Sequence, residues 1–131
     1  PDAVGTVGLM EVKPNSRNVV PGEVFFCVDL RHPDEATLDR METAFRSALP
    51  AVLDPLGLSF EEKRIWKNPA VRFHPDLIAC VREGARKSGY GMRDIVSGAG
   101  HDAAYIARVA PTTMIFVPCA GGVSHNEAES T

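Results

Sequence analysis

The chain has 131 residues, 44% of them hydrophobic and 24% charged, which suits one ordinary globular domain or parts of two. A net charge of -3 with scattered lysines and arginines excludes the basic field that a nucleic-acid-binding protein needs. No apolar run approaches the ~20 residues of a membrane span, and no signal peptide is recognisable. We therefore expect no nucleic-acid or membrane partner and a cytoplasmic location.

The first half of the chain predicts an antiparallel sheet covered by a helix. Residues 4–13 and the alternating run 23–31 predict two strands, and "LSFEEKRIW" at 58–66 predicts a third. Between the second and third of these strands, an apolar stripe from Leu38 to Val52 predicts an amphipathic helix that Pro50 should kink or shorten. This arrangement is typical of an α+β fold.

After residue 73 the pattern changes to a helix followed by short elements joined by glycine-rich loops. "HPDLIACVREGARKSG" predicts a helix with Pro75 at its start and Gly89 at its end. "MRDIVSG" and "TTMIFVP" predict short strands on either side of a helical run, "HDAAYIARVA", as at the edge of an α/β sheet. The three cysteines, Cys27, Cys80 and Cys119, lack a CxxC spacing and are predicted to be buried free thiols in a reducing cytosol.

Two late histidines lie in tight loops, each near a carboxylate. His101 follows "SGAG" at a predicted helix start, where a neutral ring could donate a hydrogen bond and the glycines leave free N–H donors. Alternatively, His101 only caps the helix while Asp102 steadies its first turn. His125, in "GGVSHNEAE", is a candidate metal ligand with Glu127 and Glu129 nearby, or an ordinary surface-loop residue.

Other polar residues have both a functional and an ordinary explanation. Arg31 ends a strand and offers a fork for a carboxylate, or pairs with Asp29. Asn18 suits a turn by itself. Ser97, His101 and Asp102 are the residue types of a hydrolytic triad, but no G-x-S-x-G elbow surrounds the serine.

Three separate stretches, "KPNSRNVVPGEVFFCVDLRHPD", "SGAGHDAAYIARVAPTTMIFVP" and "GGVSHNEAE", resemble one family in the same order. It is the hydantoinase/carbamoylase type of amidohydrolase, which includes N-carbamoyl-L-amino-acid hydrolases, β-ureidopropionases and allantoate amidohydrolases, within the di-zinc aminoacylase/carboxypeptidase clan. The resemblance implies that residues 1–72 are part of a ferredoxin-like lid and dimerisation domain. Residues 73–131 would then be part of the C-terminal half of the catalytic domain, and the chain a fragment.

The resemblance also implies a site. His125 would be the last metal ligand and would bind one of two divalent ions (Zn²⁺ or Mn²⁺, with Co²⁺ or Ni²⁺ as alternatives). His101 would be a catalytic residue and contact the substrate together with Gly100, while Asn18 and Arg31 would reach the substrate from the lid. A straight strand from Gly22 to Arg31 spans ~30 Å, so Asn18 and Arg31 meet one small ligand only if the chain bends or two subunits contribute.

The implied reaction is metal-assisted hydrolysis of the linear amide of a carboxylate-bearing carbamoyl or ureido substrate by a dimer paired through the lid. The other ligands of such a site are missing from the sequence, so we expect the isolated chain to be inactive. Two further interpretations are a non-catalytic dimerisation module and a fragment of a clan relative that acts on peptides or N-acyl amino acids.

Overall fold

The computed structural model describes residues 3–131, which divide into two compact units, one up to residue 70 and one from residue 71. The first holds a two-stranded antiparallel sheet and a long helix, and the second holds shorter helices joined by extended segments. The predicted α+β class is thereby confirmed. The predicted boundary near residue 72 stays a prediction, as do the roles of the two parts as lid and catalytic segment.

The sheet of the first unit consists of β1 (Val4–Lys13) and β2 (Glu23–Arg31), as the alternating pattern predicted. The register pairs Val7 with Val28 and Met10 with Phe26, and it skips one residue of β1 between Val7 and Leu9. Such an extra residue makes a bulge, which bends and twists the strand locally. The two strands are therefore one long ribbon whose connecting loop lies at one end and whose Arg31 lies at the other.

Helix α1 (Glu35–Leu53) begins at Asp34, whose carboxylate accepts hydrogen bonds from the Thr37 N–H at 2.8 Å and the Thr37 hydroxyl at 2.6 Å. These two bonds favour the ionised carboxylate and lower the pKa of Asp34. Helix α1 contacts β2, and four residues of its predicted apolar stripe are half-buried: Leu38, Met41, Phe45 and Leu49. The prediction is wrong for the last residue of the stripe, because Val52 is 61% exposed near the end of the helix.

The expectation that Pro50 shortens α1 is wrong, because the helix continues to Leu53. A proline removes only its own N–H, and later residues can still donate: the Asp54 N–H bonds to the Pro50 carbonyl. A 3₁₀ turn over Asp54–Leu56 then leads to Gly57, whose φ of 67° ends the helical path.

The predicted third strand at 58–66 is also wrong. This segment is extended, but within the described residues it has no backbone ladder to either strand. Side-chain ion pairs hold it instead, since Arg46 reaches Glu62 at 2.8 Å, Arg64 reaches Glu42, and Lys67 reaches Asp39 at 2.5 Å. Alternation of apolar residues favours an extended chain, but a strand forms only beside a neighbour whose backbone groups are open to it.

The second unit begins with helix α2 (Pro75–Lys87), which confirms the predicted start at Pro75. Gly89 ends it with a φ of 72°, a left-handed conformation that glycine adopts without strain. The His74 N–H donates to the Thr112 carbonyl at 2.9 Å, and Arg82 donates to Asp94 with 3.1 Å between Nε and Oδ1. These contacts hold the segment around 112 at the start of α2 and the segment around 94 at its middle.

The predicted short strands at 92–98 and 112–118 are wrong, although the short helix between them is present as α3 (Asp102–Ile106). Both segments are extended, but within the described residues they do not pair with each other. Strands at the edge of an α/β sheet need a neighbouring strand on at least one side, and residues 3–131 do not provide one for them.

Large apolar side chains remain open in both units. No described hydrophobic residue is fully buried, and Trp66 and Val109 are 67% and 86% exposed. The cysteines are free, but the prediction that they are buried is wrong: Cys27 and Cys119 are half-buried and Cys80 is exposed. Within residues 3–131, no helix has the length and apolar content to cross a membrane.

Candidate functional site

A cavity of about 640 Å³ in the second unit brings the two predicted histidines to one place. Its walls come from the extended segments at 95–99 and 114–117 and from the loop that follows residue 118. His101 and His125 both line it, although 24 residues separate them in sequence. The polar part of the lining also contains Ser97, Cys119, Ser124 and Glu129.

His101 occupies the N-cap position of α3, but its ring does not cap the helix. Its backbone is extended, and its carbonyl accepts the Ala104 N–H at 3.0 Å. The imidazole lies edge-on to the ring of Phe116, with 6.0 Å between ring centroids and an interplanar angle of 71°. His101 therefore starts the helix through its backbone, with Asp102 in the first turn as the ordinary explanation anticipated, and the ring takes no part in the cap.

Packing within the described residues does not require a glycine at position 100, the residue before His101. A β carbon at Gly100 would meet no atom within 4 Å, and its backbone does not need the left-handed region. The neighbouring Ser97 is engaged locally, because its hydroxyl lies 3.3 Å from both the N–H and the carbonyl oxygen of Ala99. A hydroxyl used in such a local turn does not support a hydrolytic triad.

His125 lies in a loop with an unusual backbone. Its φ is 54°, in the left-handed region, and Gly121 and Gly122 earlier in the same loop have φ of 61° and 71°. The His125 N–H donates to Oε2 of Glu129 at 2.8 Å. Glu129, one of two carboxylates predicted near the ring, thus contacts the backbone of His125.

The other carboxylate oxygen of Glu129 lies 3.8 Å from Sγ of Cys119, at the start of the loop. A second bond braces the same loop, from the Ala120 N–H to the Ser130 carbonyl at 2.7 Å. Sequence reasoning missed the pairing of Cys119 with Glu129, since ten residues and two left-handed glycines separate them. The only available signal was the His-x-x-x-Glu spacing in a glycine-rich loop.

The residues present do not complete a metal centre. Among residues 3–131, no group of three or more His, Cys, Asp or Glu side chains is placed to hold a metal ion. His125 is therefore one candidate ligand, which is too few for a structural or catalytic metal site.

In the first unit, the side chain of Arg31 forks onto Asp29. Nε and Nη2 of Arg31 each lie 2.8 Å from a carboxylate oxygen of Asp29. This double hydrogen bond raises the pKa of Arg31 and lowers the pKa of Asp29. Both side chains are about half exposed, with 50% and 48% of their surface open. The guanidinium thus has a local partner, as the ordinary explanation anticipated.

Asn18 lies in the loop between β1 and β2, and its amide oxygen accepts a hydrogen bond from the Ser16 hydroxyl at 2.9 Å. Arg31 ends β2 at the far end of the same ribbon. Strand β2, which separates the loop of Asn18 from Arg31, has nine residues and spans about 27 Å, so the structure does not bring these two candidate residues together.

The sequence profile described as peptidase family M20/M25/M40 matches residues 2–131. The chain belongs to peptidase family M20/M25/M40. It is 50% identical over 129 residues to the N-carbamoyl-L-amino-acid amidohydrolase of Rhizobium meliloti, covering 98% of this chain and 31% of that protein. It is 36% identical over 126 residues to the allantoate amidohydrolase of Escherichia coli strain K12, covering 96% of this chain and 31% of that protein.

A solved relative has the same fold over the length of this chain. The amidase of the hydantoinase/carbamoylase family from Burkholderia multivorans superposes with a TM-score of 0.93 at 52% identity, covering 100% of this chain and 32% of that one. The resemblance to the hydantoinase/carbamoylase group is thereby confirmed, and the fold is part of the α+β architecture of these proteins. The chain spans about a third of the length of the relatives it matches.

Proposed function

We propose that the full-length protein containing this chain hydrolyses the linear carbamoyl C–N bond of N-carbamoyl amino acids or related ureido acids, in the cytoplasm. The observation that carries the proposal is the shared cavity lined by His101 and His125. N-carbamoyl amino acids rank before allantoate, because the relative named for the former is 50% identical and the one named for the latter 36%.

His101 would act on the substrate directly. His101 lines the cavity and its ring does not cap α3, so the imidazole can donate one hydrogen bond to an oxygen on which negative charge develops. The open space at Gly100 supports close approach of a substrate to this backbone.

His125 would contribute one ligand to a divalent metal, either Zn²⁺ or Mn²⁺. An imidazole in an exposed loop at the cavity suits this role. Since the described residues hold no complete set of ligands, the remaining ones would come from elsewhere in the full-length protein. For the same reason we propose that the 131-residue chain by itself is inactive.

Arg31 would hold the carboxylate of the substrate. Its pair with Asp29 is half exposed, so an entering carboxylate can compete with Asp29 for the guanidinium. The distance between Arg31 and Asn18 along β2 supports a dimer in which the two residues serve different subunits' sites, or only one of them binds substrate.

The test is a substrate panel assayed with the full-length protein and added Zn²⁺ or Mn²⁺. We expect release of ammonia from N-carbamoyl-L-amino acids to exceed turnover of allantoate, dipeptides and N-acetyl amino acids. The isolated 131-residue chain, assayed in parallel, should stay at the level of the blank. Turnover of dipeptides without turnover of carbamoyl substrates would contradict the proposal and favour a peptidase.

A further inference from the structure

Glu129 uses both of its carboxylate oxygens inside the loop that carries His125. One oxygen accepts the His125 N–H at 2.8 Å, and the other lies 3.8 Å from Sγ of Cys119. Glu127, two residues earlier and equally exposed, makes no hydrogen bond or ion pair within the described residues. The two carboxylates of this loop thus differ sharply in their contacts.

The backbone of His125 needs such a contact. A φ of 54° is disfavoured for any residue with a β carbon, so surrounding groups must hold it there. The N–H of His125 also lies in an exposed loop, where water competes for it. A charged acceptor at 2.8 Å holds this N–H more strongly than a neutral one would.

We propose that Glu129 is a positioning residue that sets the His125 loop, and through it the His125 imidazole, at the wall of the cavity. Cys119 stands at the start of the loop and His125 in its later part, so the carboxylate ties the two together across the glycine pair Gly121 and Gly122. This inference rests on the proposed function where it concerns metal binding, and on the loop geometry alone where it concerns the backbone of His125.

The first experiment measures the affinity of the full-length protein for Zn²⁺ by competition with a chromophoric chelator. We expect Glu129→Ala to weaken binding by about tenfold or more, the effect typical of groups that orient a metal ligand. Glu129→Gln should recover most of the affinity, because its amide oxygen still accepts the His125 N–H. The matched control Glu127→Ala should bind as the unsubstituted protein does, and equal affinity in Glu127→Ala and Glu129→Ala would overturn the proposal.

The second experiment follows the His125 amide directly, by hydrogen exchange in protein labelled with ¹⁵N-histidine and without metal. The resonance is assigned by its loss in His125→Gln. We expect exchange to be about tenfold faster in Glu129→Ala and unchanged in Glu127→Ala. An unchanged rate in Glu129→Ala would overturn the proposal.

These two measurements separate this inference from the proposed function. If His125→Ala leaves Zn²⁺ affinity unchanged, the ligand role of His125 fails, and the amide exchange rate alone decides the role of Glu129. If Glu129→Ala does not fold, Glu129→Asp replaces it. The shorter side chain cannot reach both Cys119 and His125, so faster exchange supports the proposal and an unchanged rate overturns it.

Discussion

The two units of the chain hold their candidate residues in different ways. In the first unit, Arg31 and Asn18 have side-chain partners two residues away, Asp29 and Ser16, and they lie at opposite ends of a rigid two-stranded ribbon. In the second unit, His101 and His125 come from segments far apart in sequence, and both residues line one cavity. The hydrogen bonds around these histidines hold their backbones.

Because of this contrast, the four candidate residues are unequal evidence for a functional site. A guanidinium that forks onto its own neighbour is explained by the stability of the strand end alone, and the same holds for an asparagine in a tight loop. Two imidazoles at one cavity, with their backbones held by other groups, have no such local explanation. The functional hypothesis therefore depends more on the two histidines of the second unit than on Arg31 and Asn18 of the first.

The largest expected effect tests the second unit. Replacing His101 by Ala in the full-length protein should lower kcat on N-carbamoyl amino acids by about 10²- to 10³-fold, because a hydrogen bond to the developing negative charge is lost. KM should change much less. Steady-state kinetics check this, with Asp102→Asn as the control from the same helix start. A kcat within a factor of about two of the unsubstituted enzyme would remove His101 from the reaction.

A smaller effect tests whether Arg31 does more than pair with Asp29. Arg31→Ala should raise KM for carboxylate-bearing substrates by ~10²-fold or more, which corresponds to losing ~3 kcal/mol of a charge-assisted pair. Arg31→Lys keeps the positive charge but cannot donate two parallel hydrogen bonds, so its KM should lie between those of the unsubstituted enzyme and Arg31→Ala. Substrate analogues with a carboxamide in place of the carboxylate should be insensitive to Arg31→Ala. An unchanged KM would remove Arg31 from the substrate site.

The smallest effect concerns the stability that the Asp29–Arg31 pair contributes. Arg31 lowers the pKa of Asp29 below its ordinary 3.8, so the folded state favours the ionised carboxylate. This contribution is fully present above pH 3.8 and is lost as the pH falls through the lower folded pKa. Because the pair is half exposed, it should amount to less than about 1 kcal/mol.

Urea unfolding of the unsubstituted protein and of Asp29→Asn measures that contribution. The difference in unfolding free energy should be small near neutral pH and should vanish as the solution becomes strongly acidic. A difference that grows in acid would contradict the assigned pair.

Local signals predicted part of the fold well and part of it badly. Helices α1 and α2 were predictable because helical hydrogen bonds join residues four apart, and the stripe of Leu38, Met41 and Phe45 or the stop at Gly89 lies inside the same window. The segments 58–66, 92–98 and 112–118 carry strand-like patterns but do not form strands, because strand pairing depends on neighbours distant in sequence.

As with the fold, only part of the candidate site could be predicted from the sequence. The glycine-rich loops and the motifs around His101 and His125 identified the family, but they did not indicate that both residues line one cavity. They also left open whether Glu129 contacts the ring or the backbone of His125. Contacts across a loop with left-handed residues at 121, 122 and 125 depend on dihedral angles that composition does not determine.

By itself, the sequence determined the family, the positions of the two long helices, the two paired strands, and the residue types available for chemistry. Tertiary structure decided which of those residues meet: the pair of histidines at one cavity, the carboxylate that joins Cys119 to His125, and the separation of Asn18 from Arg31. The physical reason is the distance along the chain over which each effect acts. Helical periodicity and turn preference act over a few residues, whereas a cavity is made by segments that only the folded chain brings together.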